Sequence, residues 1–153
     1  MQLLNIILQA ETYHDYNRDE YHTGEFHVIT GTDLEKVLAE AKRLIDIKSE
    51  ARYLTNSSEN EYDIMCSVDG VMVGGDINTH YTDIGEDTEK YIDEREQNAN
   101  QILSTMNQYE KERNDYWREQ YNIKVRAANQ QRLEQERIRE KAEFKRLQEK
   151  YGK

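Results

Sequence analysis

The chain predicts an α+β fold: a small antiparallel sheet in the order β-β-α-β-β with one packed helix, followed by a long, charged C-terminal helix. Three observations carry that expectation. An Asp69-Gly70 dipeptide separates two strand-like runs, an amphipathic stretch opens at Leu34, and residues 86–151 contain neither glycine nor proline.

Leu3 to Leu8 is short, apolar and partly β-branched, the pattern of a buried strand. Gly24 to Thr30 alternates polar and apolar residues and reads as a second strand. Glu11 to Thr23 lies between them and is longer than the 2–5 residues usual for a hairpin loop. Gly31-Thr32-Asp33-Leu34-Glu35 reads as a helix start, with Thr32 capping the amide of Glu35 and the Glu35 carboxylate reaching back. Leu34, Val37, Leu38, Ala41, Leu44, Ile45 and Lys48 then recur at helical spacing, so one face of this helix covers the sheet. Its end is expected between Ala51 and Asn56. Asp69-Gly70 predicts a type I′ hairpin turn, whose two central residues both need positive φ. Pairing Val68 with Val71 then puts Tyr62, Ile64, Cys66, Val68, Val71, Val73, Gly75 and Ile77 on one face, with Gly75 relieving crowding opposite Ile64.

The last 66 helical residues are framed by Gly85 and Gly152, with Asp87 and Thr88 as cap candidates. If continuous, such a helix is on the order of 95 Å long at 1.5 Å per residue. Its first half carries a seam of Ile92, Ala99, Ile102, Met106, Tyr109, Tyr116 and Ile123, spaced as a heptad with polar interruptions at Arg95 and Arg113. That seam predicts self-association. The second half has no steady stripe and is supported by acid–base pairs three residues apart, such as Glu134–Arg137 and Glu143–Arg146. Tyr121 to Val125 favours strands, so a fold-back into an αα-hairpin near Asn122 is the alternative architecture. The expected domains are an acidic body over residues 1–85 and a helical extension over 86–153.

Composition narrows the function classes. Of 153 residues, 36 % are apolar and 34 % charged, against roughly 45–50 % and about 25 % in ordinary domains. One core therefore cannot enclose the whole chain. Residues 1–88 hold 6 Lys/Arg against 18 Asp/Glu, a net −12, whereas residues 124–153 hold 10 against 5, a net +5. An acidic body repels nucleic acid and anionic membrane and attracts basic surfaces. Cys66 is the only cysteine, which excludes an intrachain disulfide or a multi-cysteine zinc cluster. The apolar run from Leu3 to Ala10 has no basic leader and is too short to span a bilayer, so a reducing, cytoplasmic setting is expected.

No motif of nucleophilic catalysis or phosphate binding is present, and the chain reads as a non-enzyme without a cofactor. The segment Tyr13, His14, Asp15, Tyr16, Arg18, Asp19, Tyr21 and His22 is the first candidate recognition surface, since aromatic and polar loops make good contacts. His14 and His22, even joined by His27 or His80, lack a recognised metal-ligand spacing, so no metal site is assigned. Trp117, with Arg113 and Arg118 nearby, is the second candidate, as an interface anchor.

In general style (small, acidic, tyrosine-rich, free of proline) the chain resembles bacteriophage or mobile-element accessory proteins that antagonise host machinery. The resemblance implies an inhibitor or a nucleic-acid mimic. The leading expectation is a homo-oligomeric interaction protein that binds a basic surface on another protein. One alternative is sequestration of a small nucleotide-like ligand between protomers by Arg113, Arg118 and Arg126. Another is nucleic-acid binding through the basic tail, which its interleaved glutamates oppose.

Overall fold

The structure is a computed structural model that describes residues 1–10, 13–15, 20–22, 25–54, 62–75 and 85–152, with the backbone alone given for 13–15 and 20–22. Its elements are β1 (Leu4–Ala10), β2 (Tyr13–Asp15), β3 (Glu20–His22), β4 (Phe26–Gly31), α1 (Leu34–Leu54), β5 (Tyr62–Val68), β6 (Val71–Val73) and α2 (Glu86–Tyr151). The predicted α+β fold is the observed one. β2 and β3 add a two-stranded antiparallel hairpin inside the long β1–β4 connection.

The main sheet has the order β4-β1-β5-β6. β1 pairs antiparallel with both β4 and β5, which therefore run parallel to each other on either side of it. Two parallel strands need a crossover rather than a hairpin. α1 is that crossover.

Asp69 (φ 49°) and Gly70 (φ 84°) form the positive-φ turn between β5 and β6, and Val68 pairs with Val71 as the dipeptide predicts. β6 stops at Val73, and Ile77 of the expected face lies outside the described residues. Gly74 takes φ 95°, and a Cβ there would lie 2.6 Å from the Ile64 carbonyl oxygen and 3.2 Å from Leu103 Cδ2. The close approach to Ile64 thus belongs to Gly74 and not to Gly75, whose own Cβ would meet the Met65 sulfur at 3.2 Å.

The cap of each helix is not the residue expected, although α2 spans the expected residues. Asp33, not Thr32, caps α1: its Oδ1 accepts the Lys36 amide at 3.3 Å. A side-chain oxygen at the cap accepts an amide two or three residues on and so satisfies one of the open donors of the first helical turn. The Lys36 amide in turn holds the Asp33 carboxyl below its usual range. α2 begins at Glu86, with the Gly85 carbonyl accepting from the Thr88 and Glu89 amides at 3.0 Å each.

One face of the sheet carries Leu4, Ile6, Leu8, Tyr62, Ile64, Cys66, Val68 and Val73, all buried. α1 covers it with Val37, Ala41 and Ile45, while Leu34 stays 44 % exposed at the helix mouth. Ala99 and Met106 of α2, both 0 % exposed, complete the same core, and Ile102, Leu103 and Tyr109 pack against it. This corrects the expectation for the seam. Ile92, Ala99, Ile102, Met106 and Tyr109 face the chain's own body rather than a second copy, and two residues of the expected oligomer contact, Tyr116 and Ile123, remain exposed at 47 % and 49 %.

The compact units reflect this packing: one is Met1–Trp117, the other Arg118–Lys153. α2 runs through Asn122 without a break, so the αα-hairpin is not formed. Among the described residues, no helix is long and apolar enough to cross a membrane.

Candidate partner-binding site

The polar chemistry of the body gathers where the second half of α1 meets α2. Beyond Met106 the buried positions of α2 are Glu110 and Asn114, each four residues on. A straight helix drifts about 20° per heptad away from a strict seven-residue repeat. The side turned to α1 and β5 therefore passes from Met106 to Glu110 and Asn114, and Tyr116 and Ile123 rotate outward.

Ser49, Glu110 and Asn114, all buried on this side, have partners. Ser49 Oγ donates to Asn114 Oδ1 at 2.5 Å. The Tyr62 amide donates to Glu110 Oε2 at 3.2 Å, which ties the start of β5 to α2. Arg113 Nε donates to Asp46 Oδ1, and Tyr109 Oη donates to the other oxygen of the same carboxylate at 3.2 Å. Burial, followed by the Asp46 charge, raises the Tyr109 hydroxyl above its ordinary pKa, so the phenol stays a donor. At the other end Arg95 Nε donates to Asp69 Oδ2 at 3.2 Å, while Asp69 Oδ1 accepts the Leu3 amide at 2.7 Å. The two arginines that interrupt the apolar seam thus each meet an aspartate of the body.

Lys48, 7 % exposed, sits 4.0 Å from Glu25 Oε2 and 5.3 Å from the Tyr62 ring centre. Tyr62 Oη donates to Glu25 Oε2 at 2.8 Å. That hydrogen bond, helped by His27 and Lys48, lowers the Glu25 carboxyl below its usual range. His27 stands 3.4 Å from Glu25 and edge-on to Tyr62, with ring centres 6.1 Å apart.

Of the expected recognition residues, Tyr13, His14 and Asp15 lie on β2 and Tyr21 and His22 on β3, with Tyr13 opposite His22 and His14 opposite Tyr21. Tyr16, Arg18 and Asp19 lie outside the described residues, as does His80. Arg113 and Trp117 fall together: the Arg113 guanidinium is 4.6 Å from the Tyr116 ring centre and 5.7 Å from that of Trp117. Tyr116 and Trp117 meet edge-on at 5.0 Å. The Trp117 indole N–H is buried without an acceptor among the described residues. A buried donor usually finds a partner, so this aromatic cluster is the part of the site with unused hydrogen-bonding capacity.

Arg113 is committed to Asp46, and Arg126 lies 3.7 Å from Glu119. Two open polar grooves run along α2, one lined by Lys42, Ser104, Thr105, Gln108, Tyr109 and Glu112 and the other by Asn100, Leu103 and Lys111 among others. Neither of these takes in Arg113, Arg118 or Arg126. Among the described residues, no group of three or more His, Cys, Asp or Glu side chains is placed to hold a metal ion. No protein-family model, curated protein or solved structure matches the chain.

Cys66 is 0 % exposed, and burial pushes its thiol up to about 12. The thiolate is the reacting form, so the folded protein is expected to resist alkylation by iodoacetamide at pH 8 and to label fully in denaturant. Prompt labelling without denaturant would mean that β5 opens on its own.

The residues missed by sequence pattern are Asp46, Ser49, Glu110 and Asn114. They interrupt the apolar stripe; Ser49, Glu110 and Asn114 are buried and Asp46 partly so, and the partners they meet on neighbouring elements are what place them. The one signal available was that Ser49 and Asn114 continue the buried spacing of their helices.

Proposed function

We propose that the chain is a non-enzymatic interaction protein of a reducing, cytoplasmic setting. Its acidic body engages a basic surface on another protein, and the helix beyond Trp117 is its second contact element. The observation that carries this reading is the helix over residues 118–151, where Ile123, Leu133, Ile138, Phe144 and Leu147 are 42–64 % exposed and no side chain is buried. An isolated helix in water is supported only by weak local pairs, such as Arg137–Glu134 at 3.5 Å and Arg146–Glu143 at 2.7 Å. Association with another helix gives those apolar side chains the burial that the chain itself does not provide. The Arg113–Tyr116–Trp117 cluster, of the composition favoured at interface centres, lies just before that segment.

Self-association through Tyr116, Ile123 and the residues that follow is the first form of this contact, supported by their exposure. The body's net −12 over residues 1–88 supports the second, a basic partner surface, in the manner of a phosphate mimic. Two measurements test the reading on the full chain. Sedimentation equilibrium is expected to show assembly that weakens at least tenfold in Ile123→Lys combined with Phe144→Lys; an unchanged mass removes the helix from the proposal. Retention on immobilised polylysine is expected to fall steeply between low and moderate salt, because exposed charges are screened over about 10 Å at 0.1 M. Salt-independent retention disposes of the electrostatic part.

A further inference from the structure

β4 is an edge strand of the main sheet, and its outer side has no strand beside it among the described residues. Edge strands are normally guarded by charge, proline, brevity or a bulge. β4 has none of these guards. Phe26-His27-Val28-Ile29-Thr30-Gly31 is six residues long and contains no carboxylate, lysine, arginine or proline. Phe26 is 60 % and Val28 52 % exposed. The opposite edge is protected: β6 has three residues, ends at Val73 and is followed by Gly74, where an added Cβ would stand 3.2 Å from Leu103 of α2.

The hydrogen-bonding phase of β4 can be read from its inner side. The Ala10 amide donates to the Glu25 carbonyl at 2.9 Å, in the register that pairs Gln9 with Phe26 and Leu4 with Gly31. In an antiparallel ladder, residues alternate between facing one neighbour and facing the other. Glu25, His27, Ile29 and Gly31 therefore point their backbone groups at β1, and Phe26, Val28 and Thr30 point theirs outward. A twofold axis at Val28 sets Val28 against its own copy and Phe26 against Thr30 of the other copy. Every outward N–H and C=O of the strand is then matched, and the side chains keep their faces of the sheet.

We infer that β4 is a homotypic interface, pairing antiparallel with β4 of a second copy of this chain across a twofold axis at Val28. Three features favour a second copy over a foreign peptide. The outward groups of the strand are self-complementary about one residue. The strand holds no Lys, Arg, Asp or Glu in a chain of formal net charge −10, and a twofold axis at Val28 sets His27 opposite Ile29 and not opposite its own copy. The pairing is also isologous and closed, because the twofold axis uses the outer edge of β4 in both copies, so it ends at a dimer instead of a fibre. This inference does not rest on the helix reading above.

The test is cross-linking of the full chain under mild oxidation. In Val28→Cys the two introduced thiols meet across the axis, with Cα atoms about 5.5 Å apart, within disulfide range. In Thr32→Cys they are separated by about 26 Å of extended strand, at roughly 3.3 Å per residue. Native Cys66 is buried and does not compete. A covalent dimer from Val28→Cys alone is expected, together with at least tenfold weaker dimerisation of Val28→Lys at an unchanged melting temperature of the monomer. Equal cross-linking of the two cysteine variants, or a Val28→Lys assembly of unchanged mass, overturns the inference. So does a dimer abolished by Ile123→Lys with Phe144→Lys but untouched by Val28→Lys, and so does a wild-type chain that stays monomeric and binds only an extended peptide along β4.

Discussion

Met106→Ala is expected to lower the free energy of unfolding by about 2–5 kcal/mol, the range for removing a large apolar side chain from a closed core. Met106 is 0 % exposed in the core it shares with the sheet and α1. The truncation loses the transfer energy of the removed atoms and leaves a cavity that flanking Ile102 and Tyr109 fill only in part. In a chain of this size the midpoint of thermal unfolding should fall on the order of 10 °C. The informative comparison is Ile123→Ala, on the same helix and in the same predicted seam. Its side chain is 49 % exposed, and a surface change of this kind stays within about 0.5 kcal/mol at concentrations where the chain is monomeric. Parallel denaturant titrations with equal m-values check both. A loss below about 1 kcal/mol for Met106→Ala would show that α2 is not part of the core.

Gly74→Ala should be nearly as damaging, about 2–4 kcal/mol, by a different route. At φ 95° an L residue is strained by roughly 1–3 kcal/mol, and the added methyl would stand 2.6 Å from the Ile64 carbonyl oxygen. That neighbour is backbone in a central strand and cannot swing aside. Gly70→Ala isolates the first contribution, since Gly70 has φ 84° but nothing within 4 Å of the added carbon. It should cost only about 1 kcal/mol. Equal losses in the two variants would show that crowding at Ile64 is absent.

The body was legible in the sequence where local chemistry and fold agree. Asp69-Gly70 dictates its turn through φ alone, and the Val68–Val71 register follows without tertiary information. The apolar spacing of Val37, Ala41 and Ile45 marks the buried face of α1 because the sheet beneath is uniformly apolar. The end of β6 was not legible. Val73 to Ile77 keeps strand alternation, and only the approach of Leu103 and Ile64 shows why Gly74 must turn away.

The seam on α2 teaches the converse lesson. Ile92, Ala99 and Met106 form an apolar stripe that is buried, but a stripe does not name what buries it. A heptad reads the same against a second helix or against a sheet already half-covered by α1. The arginines at 95 and 113 held the answer, since each meets an aspartate of the body. Beyond Met106 the interior turns polar through Glu110 and Asn114, and a pattern that equates buried with oily loses the thread there. Tyr13–Asp15 and Glu20–His22 are two short paired strands in their backbone.

The place of Met106 in the core also bears on how the protein is made. A ribosome delivers the four main strands and α1 well before it reaches Ala99 and Met106, so the nascent sheet carries an uncovered oily face while its lid is still being translated. Domains fold as units once their parts are available. Completion of this one is deferred to a late stage of synthesis, and until then the emerging chain depends on its dense negative charge, or on a chaperone, to keep that face from sticking to its neighbours.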